Sequence, residues 1–302
     1  MIAAVLGAAA GGGFPQWNSN AEACRRARNG DPAAKSRTQA SLAVSADGSS
    51  WFLLNASPDL RRQIELAPFL HPRQGLRSSP IAGVVLTGGD VDAIAGLLTL
   101  RERQAFTIYA TARVLATLDA NPIFEVLARD IVGRQEIPLG RQTALADSSG
   151  LSIELFAVPG KVPLYLESSG VLPPIVEGEE TVGVAVSDGR RRLFFIPGCA
   201  AMTPALAARL DRAELVFFDG TLFTDDEMIR SGTGPKTGRR MGHISNTGPE
   251  GAVAAFESLR VERKIFIHIN NSNPILLDDS PERAIVEEAG WEVAHDGMTV
   301  SL

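Results

Sequence analysis

The stretch Ile81-Ala82-Gly83-Val84-Val85-Leu86-Thr87-Gly88-Gly89-Asp90-Val91-Asp92-Ala93-Ile94-Ala95-Gly96 joins an apolar run, a polar turn and a second apolar pattern. Residues 81–86 are continuously apolar, which is typical of a strand buried on both faces, and residues 94–98 follow a helical pattern. Asp90 and Asp92 lie in the turn between them, where two carboxylates two residues apart can direct oxygen atoms at one cation. The alternative is that one aspartate simply caps the following helix. This strand–turn–helix unit predicts an α/β fold with a site at the strand end.

The rest of the chain repeats short apolar runs separated by Gly, Pro and Asp. Alternation of this kind predicts two mixed sheets with helices outside, in a single domain spanning residues 1–302. A segment rich in Ser, Gly, Pro and Glu, residues 168–180, predicts an exposed loop over one face. No internal repeat is visible. The predicted strands are Val5-Leu6, Ala40–Val44, Trp51–Asn55, Ile81–Leu86, Phe106–Ala110, Leu151–Val158, Thr181–Val186, Arg192–Ile196, Glu214–Phe218, Lys264–Ile269, Trp291–Ala294 and Met298–Leu302, and the predicted helices are Thr111–Leu118, Pro122–Asp130, Thr203–Leu210, Pro249–Leu259 and Ser280–Ala289.

Composition excludes several classes of protein. The 302 residues are 45% hydrophobic and 21% charged, which argues against a disordered, collagenous or coiled-coil chain. The net charge of −6 argues against nucleic acid or an anionic membrane as a partner. The two cysteines are too few for a disulfide framework, and no apolar run reaches the roughly 18 residues of a membrane span. We therefore expect a cytoplasmic protein without a signal peptide or membrane insertion.

Two further strand ends carry residues that bind metals or protons. Asp219 closes the apolar run 215–218, and an unpaired buried carboxylate would cost several kcal/mol (roughly), so it predicts a cation or donor partner. His268 follows the apolar run 264–267, and His243 lies in a Gly-His-Ile-Ser segment. Asp92, Asp219 and His268 are expected to converge at one edge of the fold, with His243 as a further candidate. The alternative is that the two imidazoles only bind backbone at strand ends. His71 and His295 lie in loops without such a setting.

The segment 86–96 resembles a degenerate form of the metallo-β-lactamase superfamily motif T-H-x-H-x-D-H-x-x-G. Gly88 and Asp90 take the places of the first two histidines, Asp92 is retained, and Ala93 replaces the third histidine. Other segments resemble the pyrroloquinoline quinone biosynthesis protein B family over the whole chain: residues 11–18, 37–39, 55–59, 218–221, 242–243 and 267–271. The resemblance implies the αββα sandwich of that superfamily.

The departures from the family pattern bear on metal binding. Ser19, Ala21 and Cys24 stand where the family usually has a C-x-C-x-x-C cluster for structural zinc, so we expect structural zinc to be absent. The loop 11–24 is then expected to be held by Trp17 packing and backbone hydrogen bonds. The resemblance implies a weakened site for a divalent metal, with Asp90, Asp92, Asp219 and His268 as ligands. We expect Fe²⁺ there, with Mn²⁺ or Mg²⁺ as alternatives.

Two functions follow from the resemblance to the family. The first is metal-assisted oxidation or hydroxylation of the tyrosine ring of a Glu-Tyr-derived precursor, with Asp92, Asp219, His243 and His268 as catalytic residues. The second is a non-catalytic carrier that takes part in transport of the quinone or its precursor to the periplasm. The missing histidine and cysteines favour the carrier, and the retained aspartates and histidines favour the enzyme. Hydrolase activity is disfavoured because the histidine-rich motif is missing.

The quinone carries three carboxylates, so basic residues near the motifs are candidate contacts for it. They are Arg37, Lys236, Arg239 and Arg240. The alternative is a solvated basic loop. The sequence leaves a monomer and a homodimer open.

Overall fold

The computed structural model describes residues 1–145, 150–167 and 175–302. Within them, the first of two seven-stranded sheets has the order β14-β1-β2-β3-β4-β5-β6. Its strands are β1 (Ile2–Gly7), β2 (Ser41–Ser45), β3 (Trp51–Leu54), β4 (Ile81–Val85), β5 (Phe106–Ala110), β6 (Val132–Glu136) and β14 (Thr299–Ser301).

The second sheet has the order β13-β12-β11-β10-β9-β8-β7. Its strands are β7 (Thr143–Ala144), β8 (Ser152–Gly160), β9 (Val176–Ser187), β10 (Arg192–Ile196), β11 (Leu215–Asp219), β12 (Lys264–Ile267) and β13 (Trp291–Val293). Both sheets show the same pairing sequence, in which three antiparallel neighbours are followed by three parallel ones. The two sheets therefore share one topology although no repeat is visible in the sequence.

Helices cover the outer face of each sheet. Thr111, Thr203 and Ser280 begin three of them by accepting a backbone N–H with the side-chain oxygen, as N-cap residues do. The helices are α1 (Glu22–Arg28), α2 (Leu60–Leu66), α3 (Val91–Ile94), α4 (Ala112–Asp119), α5 (Pro204–Leu210), α6 (Glu227–Arg230), α7 (Gly238–Met241), α8 (Ala252–Phe256) and α9 (Pro281–Glu288).

Three buried apolar clusters hold these layers together. One lies between the sheets and includes Val44 of β2 and Phe217 of β11. The second packs helices on the second sheet, and the third packs helices on the first sheet. The fold is thus two mixed sheets flanked by helices, the αββα sandwich expected from the sequence. The assignment of residues 1–302 to a single domain stays a prediction.

Several predicted elements differ from the structure. The helix predicted over residues 122–130 is only a 3-10 helix over Pro122–Val126, because the backbone of Leu127 leaves the helical region (φ −82°, ψ 86°) and a strand begins soon after. The helices α1 and α2 and the strand β6 were not predicted. The loop predicted over residues 168–180 lies partly outside the described residues, and its last five residues begin β9 as an extended pair with β8.

The carboxyl ends of the parallel strands β4, β11 and β12 meet where the two sheets join. A bridge between Gly88 and Thr181 and another between Ala9 and Ile269 link backbone of the two sheets there. Among the described residues, no helix has both the length and the apolar character needed to cross a bilayer.

Candidate metal centre and cavity

Asp219 ends β11 and is fully buried. Its Oδ2 accepts hydrogen bonds from the Cys199 N–H (2.9 Å) and from His243 Nδ1 (2.7 Å). Its Oδ1 accepts from the N–H (3.0 Å) and the hydroxyl (2.7 Å) of Thr221. The four acceptor positions of this carboxylate are therefore occupied, which meets the sequence-based expectation that Asp219 has donor partners.

His243 is oriented by the same carboxylate. Its Nδ1 lies 2.7 Å from Asp219 Oδ2, and the contact places the ring hydrogen on Nδ1. The other ring nitrogen, Nε2, is then free to accept a proton or bind a metal. The preceding residue Gly242 has φ of 92°, a conformation that favours glycine, and ends α7 in the left-handed region.

His268 follows β12 with φ of 59°, an uncommon conformation for a residue with a side chain. Its Nε2 donates to Asp92 Oδ2 at 2.9 Å, and its Nδ1 lies 2.9 Å from the Thr221 hydroxyl. Burial disfavours the imidazolium, but the hydrogen bond and charge of Asp92 outweigh it and raise the pKa of His268. Burial likewise opposes ionisation of Asp92, yet the bond from His268 lowers the pKa of Asp92. The hydrogen bond between His268 and Asp92 links the two sheets.

Asp219, His243 and His268 form the compact cluster of ligand atoms, all within 4.8 Å of one another. The two imidazole rings are stacked with centroids 5.2 Å apart and planes 21° apart. Metal–ligand bonds of about 2.0–2.2 Å allow two ligands to lie about 4.3 Å apart, so small side-chain movements would let all three bind one cation. Two histidines and one carboxylate are the ligand set of non-haem iron oxygenases. Because its acceptor positions are filled, Asp219 would exchange its bond from His243 for the metal.

Asp90 and Asp92, which the sequence placed among the metal ligands, lie outside that compact cluster among the described residues. Asp92 reaches it through His268. Asp90 lines the same cavity, and burial followed by the charge of Asp92 raises the pKa of its carboxyl group. Asp90 is also the N-cap residue of α3, but its side chain makes no capping hydrogen bond.

The cluster opens into a cavity of about 330 Å³. Asp90, Asp92, His243 and His268 line it on one part of its wall. Ala93 also lines it, so the position where the family motif has its third histidine faces this space. Lys161, Lys236, Leu164, Met228 and Met241 supply basic and apolar surface. The cavity therefore has candidate metal ligands on one part of its wall and basic and apolar side chains on another. This combination suits an anionic ligand with an apolar body.

The four basic candidates for carboxylate binding separate into two groups. Lys236 lines the cavity, and Arg240 Nη2 lies 3.6 Å from Glu167 beside it. Arg37 is 3% exposed, and its guanidinium donates to the carbonyl oxygens of Lys35, Leu276 and Ala294, so it is held by backbone away from the cavity. Arg239 pairs with Glu250 and faces a second cavity of about 320 Å³. The structure therefore does not bring Arg37 or Arg239 to the candidate site.

Sequence reasoning missed three residues that organise the site. Thr221 contacts Asp219 and both histidines through one hydroxyl, with the His243 Nδ1 at 3.0 Å. Lys161 lines the cavity, and Glu227 joins the segments after β11 and β12 by accepting from Phe223 N–H and the Ser272 hydroxyl. Thr221 lies in the motif Asp-Gly-Thr, but nothing in the neighbouring sequence predicts its contacts with two distant histidines.

The side-chain contacts that hold the loop 11–24 differ from the expected ones. Trp17 is 85% exposed, so the expectation that its packing holds the loop is wrong. The Arg28 guanidinium binds the carbonyl oxygens of Gln16 and Ser19, and Cys24 is fully buried with its thiol 3.7 Å from Asn271 Oδ1. These contacts tie the loop to the segment that follows His268.

Comparison with known proteins identifies close relatives over the full length. The Beta-lactamase superfamily domain matches residues 50–269. Coenzyme PQQ synthesis protein B of Gluconacetobacter diazotrophicus is 64% identical over 98% of both chains, and that of Gluconobacter oxydans is 56% identical over 99% of this chain and 97% of the relative. The crystal structure of Zn²⁺-bound PqqB from Methylobacterium extorquens is 52% identical, covers 100% of both chains and superposes with a TM-score of 0.97.

A diphosphatase of the PhnP family shares the fold at 19% identity, with a TM-score of 0.69 over 99% of this chain and 96% of the other. The Methylobacterium relative binds zinc, so the expectation that zinc is absent gains no support. In this chain, the loop 11–24 still offers a single thiolate, Cys24.

Proposed function

The chain belongs to the coenzyme PQQ synthesis protein B family, and on this premise we propose that it oxidises or hydroxylates the tyrosine ring of a Glu-Tyr-derived precursor of the quinone. The observation that carries the proposal is the cluster of Asp219, His243 and His268, with ligand atoms within 4.8 Å of one another, beside a cavity that the two histidines line. Fe²⁺ held there, which we favour over Mn²⁺ or Mg²⁺, would supply redox chemistry with O₂.

The residues around the cluster would hold the metal and orient the ring. Before a metal binds, His243 Nδ1 donates to Asp219 at 2.7 Å, so Nε2 is the nitrogen that is available to the cation. His268 is held between Asp92 and Thr221, which fixes the orientation of its ring. Leu164, Met228 and Met241 give the tyrosine ring an apolar wall and exclude water from it.

The carrier function is the second candidate, and one observation favours it. Ala93 lines the cavity where the family motif has a histidine, so the site has one imidazole fewer to hold a metal. Lys161 and Lys236 line the same cavity and suit a polycarboxylate quinone whether or not chemistry follows.

The test supplies the purified chain, loaded anaerobically with Fe²⁺, with a Glu-Tyr precursor peptide, a reductant and O₂. The proposal predicts a product heavier by one oxygen atom per turnover in mass spectra, and loss of this product in His243→Ala. The matched control is His295→Ala, because the exposed His295 ring hydrogen-bonds only the Asp296 carbonyl oxygen within the described residues and does not line the cavity. Tight binding of the quinone without any oxygenated product would contradict the enzyme and favour the carrier.

A further inference from the structure

Two lysines of the cavity wall and two further charged side chains form a group beside the candidate metal cluster. Lys161 and Lys236 line the cavity, Arg240 lies three residues before His243, and Glu167 lies among them. We call Lys161, Lys236 and Arg240 the basic cluster. Lys161 Nζ donates to Glu167 Oε1 at 2.9 Å, and Arg240 Nη2 lies 3.6 Å from Glu167 Oε2.

The basic cluster carries more positive charge than its partner neutralises. Lys161 and Arg240 both pair with Glu167 and Lys236 acts on it from farther away, although the side chains of Lys161 and Arg240 are only 14% and 23% exposed. The ammonium group of Lys161 also donates to the Val162 carbonyl oxygen, and Asp90 is the other carboxyl group that acts on it. Within the described residues, Arg240 Nη1 is buried and has no hydrogen-bond partner. Partly buried cations without a full set of acceptors are unfavourable, so the cluster has room for another anionic group.

Among the described residues, the polar contacts of the Glu167 carboxylate are all with the basic cluster, and its side chain is 13% exposed. Among the described residues, its side chain receives one hydrogen bond, from Lys161, and an ion pair from Arg240. It follows a 3-10 helix, Leu164–Leu166, whose three side chains are 45–61% exposed. The segment is therefore lightly packed, and the Glu167 carboxylate is the same chemical group that a polycarboxylate ligand would present.

Lys161, in contrast, is fixed by packing. Gly242 has φ of 92°, and a Cβ there would lie 3.4 Å from Lys161 Cγ, so the lysine stem packs on the glycine next to His243. The position of the ammonium group is thereby tied to the segment that carries a residue of the metal cluster.

We propose that Lys161, Lys236 and Arg240 form a carboxylate-binding subsite, and that Glu167 fills this subsite until a carboxylate of the ligand displaces it. The ligand class is an aromatic or peptide-derived polycarboxylate, and this part of the inference rests on the proposed function. Glu167 thus lowers the affinity of the cavity for its ligand, whereas Lys161 raises it.

The test measures equilibrium binding of pyrroloquinoline quinone and of its trimethyl ester to the full chain by calorimetry. Lys161→Met removes the charge and keeps an unbranched stem on Gly242. It should weaken binding of the triacid about tenfold or more and of the triester less than threefold. Glu167→Gln should tighten binding of the triacid about threefold or more, because the neutral amide competes poorly for the cations. Arg61→Gln, which removes one exposed charge paired with Glu65 on α2, should leave both affinities unchanged.

Four results would overturn the inference. Weaker triacid binding in Glu167→Gln would mean that Glu167 supports the lysine instead of occupying its site. Equal losses for the triacid and the triester in Lys161→Met would mean that the lysine does not read a carboxylate. Unaltered affinities in both variants would show that these residues form no carboxylate-binding subsite, and would leave the proposed function unaffected. If the wild-type chain binds neither ligand, the ligand class of the proposed function falls as well. Thermal melting of each variant, with Lys161→Gln as a second substitution, distinguishes a lost contact from a lost fold.

Discussion

The two sheets share one topology but contribute differently to the site. In the first sheet, the turn after β4 carries Asp90, Asp92 and Ala93, where the superfamily motif has several histidines. Asp90 makes no capping hydrogen bond, and Ala93 offers no ligand. In the second sheet, Asp219 and His268 follow β11 and β12, and Thr221 joins them to His243.

The difference indicates that the residues of the second sheet form the preorganised half of the site. On the second sheet every acceptor position of Asp219 is used, so the ligand side chains are held before any metal binds. From the first sheet, Asp92 is the one described residue that hydrogen-bonds a member of the cluster, through its bond to His268. The account therefore predicts that metal binding and local stability depend on the second sheet and respond weakly to the first.

The largest expected effect comes from Asp219→Asn, which breaks the preorganised half. The amide group would point an N–H₂ at two donors that now bind a carboxylate oxygen, in a fully buried place. We expect the free energy of unfolding to fall by about 3 kcal/mol or more, measured by urea denaturation. Asp130→Asn is the control, because Asp130 is 71% exposed and its pair with Arg103 contributes less than about 1 kcal/mol. Equal stability of the two variants would contradict the claim that this half of the site is preorganised.

Glu227→Gln tests the second-sheet side of the site through the pH dependence of stability. Burial raises the pKa of Glu227 to about 7, whereas hydrogen bonds from Ser272 and Phe223 act in the opposite direction. Between the ordinary pKa near 4.5 and about 7, the folded state binds more protons than the unfolded state. The contribution of Glu227 to stability is therefore complete below about pH 4.5 and falls as the pH rises to 7.

For Glu227→Gln we expect this decline to disappear, so the difference in unfolding free energy between wild type and variant should change by up to about 3 kcal/mol between pH 4.5 and 7.5. Urea denaturation at four pH values measures it. The raised pKa values of His268 and Asp296 act in the same direction in both proteins, so they cancel in the difference. A difference that does not vary with pH would show that Glu227 does not titrate between the two loops.

Much of the fold could be predicted because its strands are short buried apolar runs. β4, β5, β10 and β11 were predicted to within one or two residues for this reason. The strand β6 was missed because its burial pattern is mostly exposed, which leaves no apolar run to detect. The helix α1 was missed because Glu22–Arg28 is largely charged and has only Cys24 and Ala27 buried.

The site was predictable in its strand-end residues but not in its connections. Asp219 and His268 are brought together because the parallel strands β11 and β12 end at the same edge, and Asp92 meets them where the two sheets join. The link through Thr221, and the choice of Arg240 over its neighbour Arg239, depend on side-chain directions that a single sequence does not encode locally. Arg37 was misplaced for the same reason, since a motif position does not tell whether a guanidinium faces a cavity or binds backbone.

The most direct test of the difference between the two sheets is a calorimetric titration with Mn²⁺. It compares the metal-free wild-type chain with His268→Ala and Ala93→His. The account predicts that His268→Ala weakens Mn²⁺ binding about tenfold or more, because the cluster loses one of its two imidazoles. Ala93→His should tighten binding by a smaller factor, because the added ring faces the same cavity but from the first sheet. Equal Mn²⁺ affinities in all three proteins would contradict the account, since they would mean that Asp219, His243 and His268 do not hold the metal.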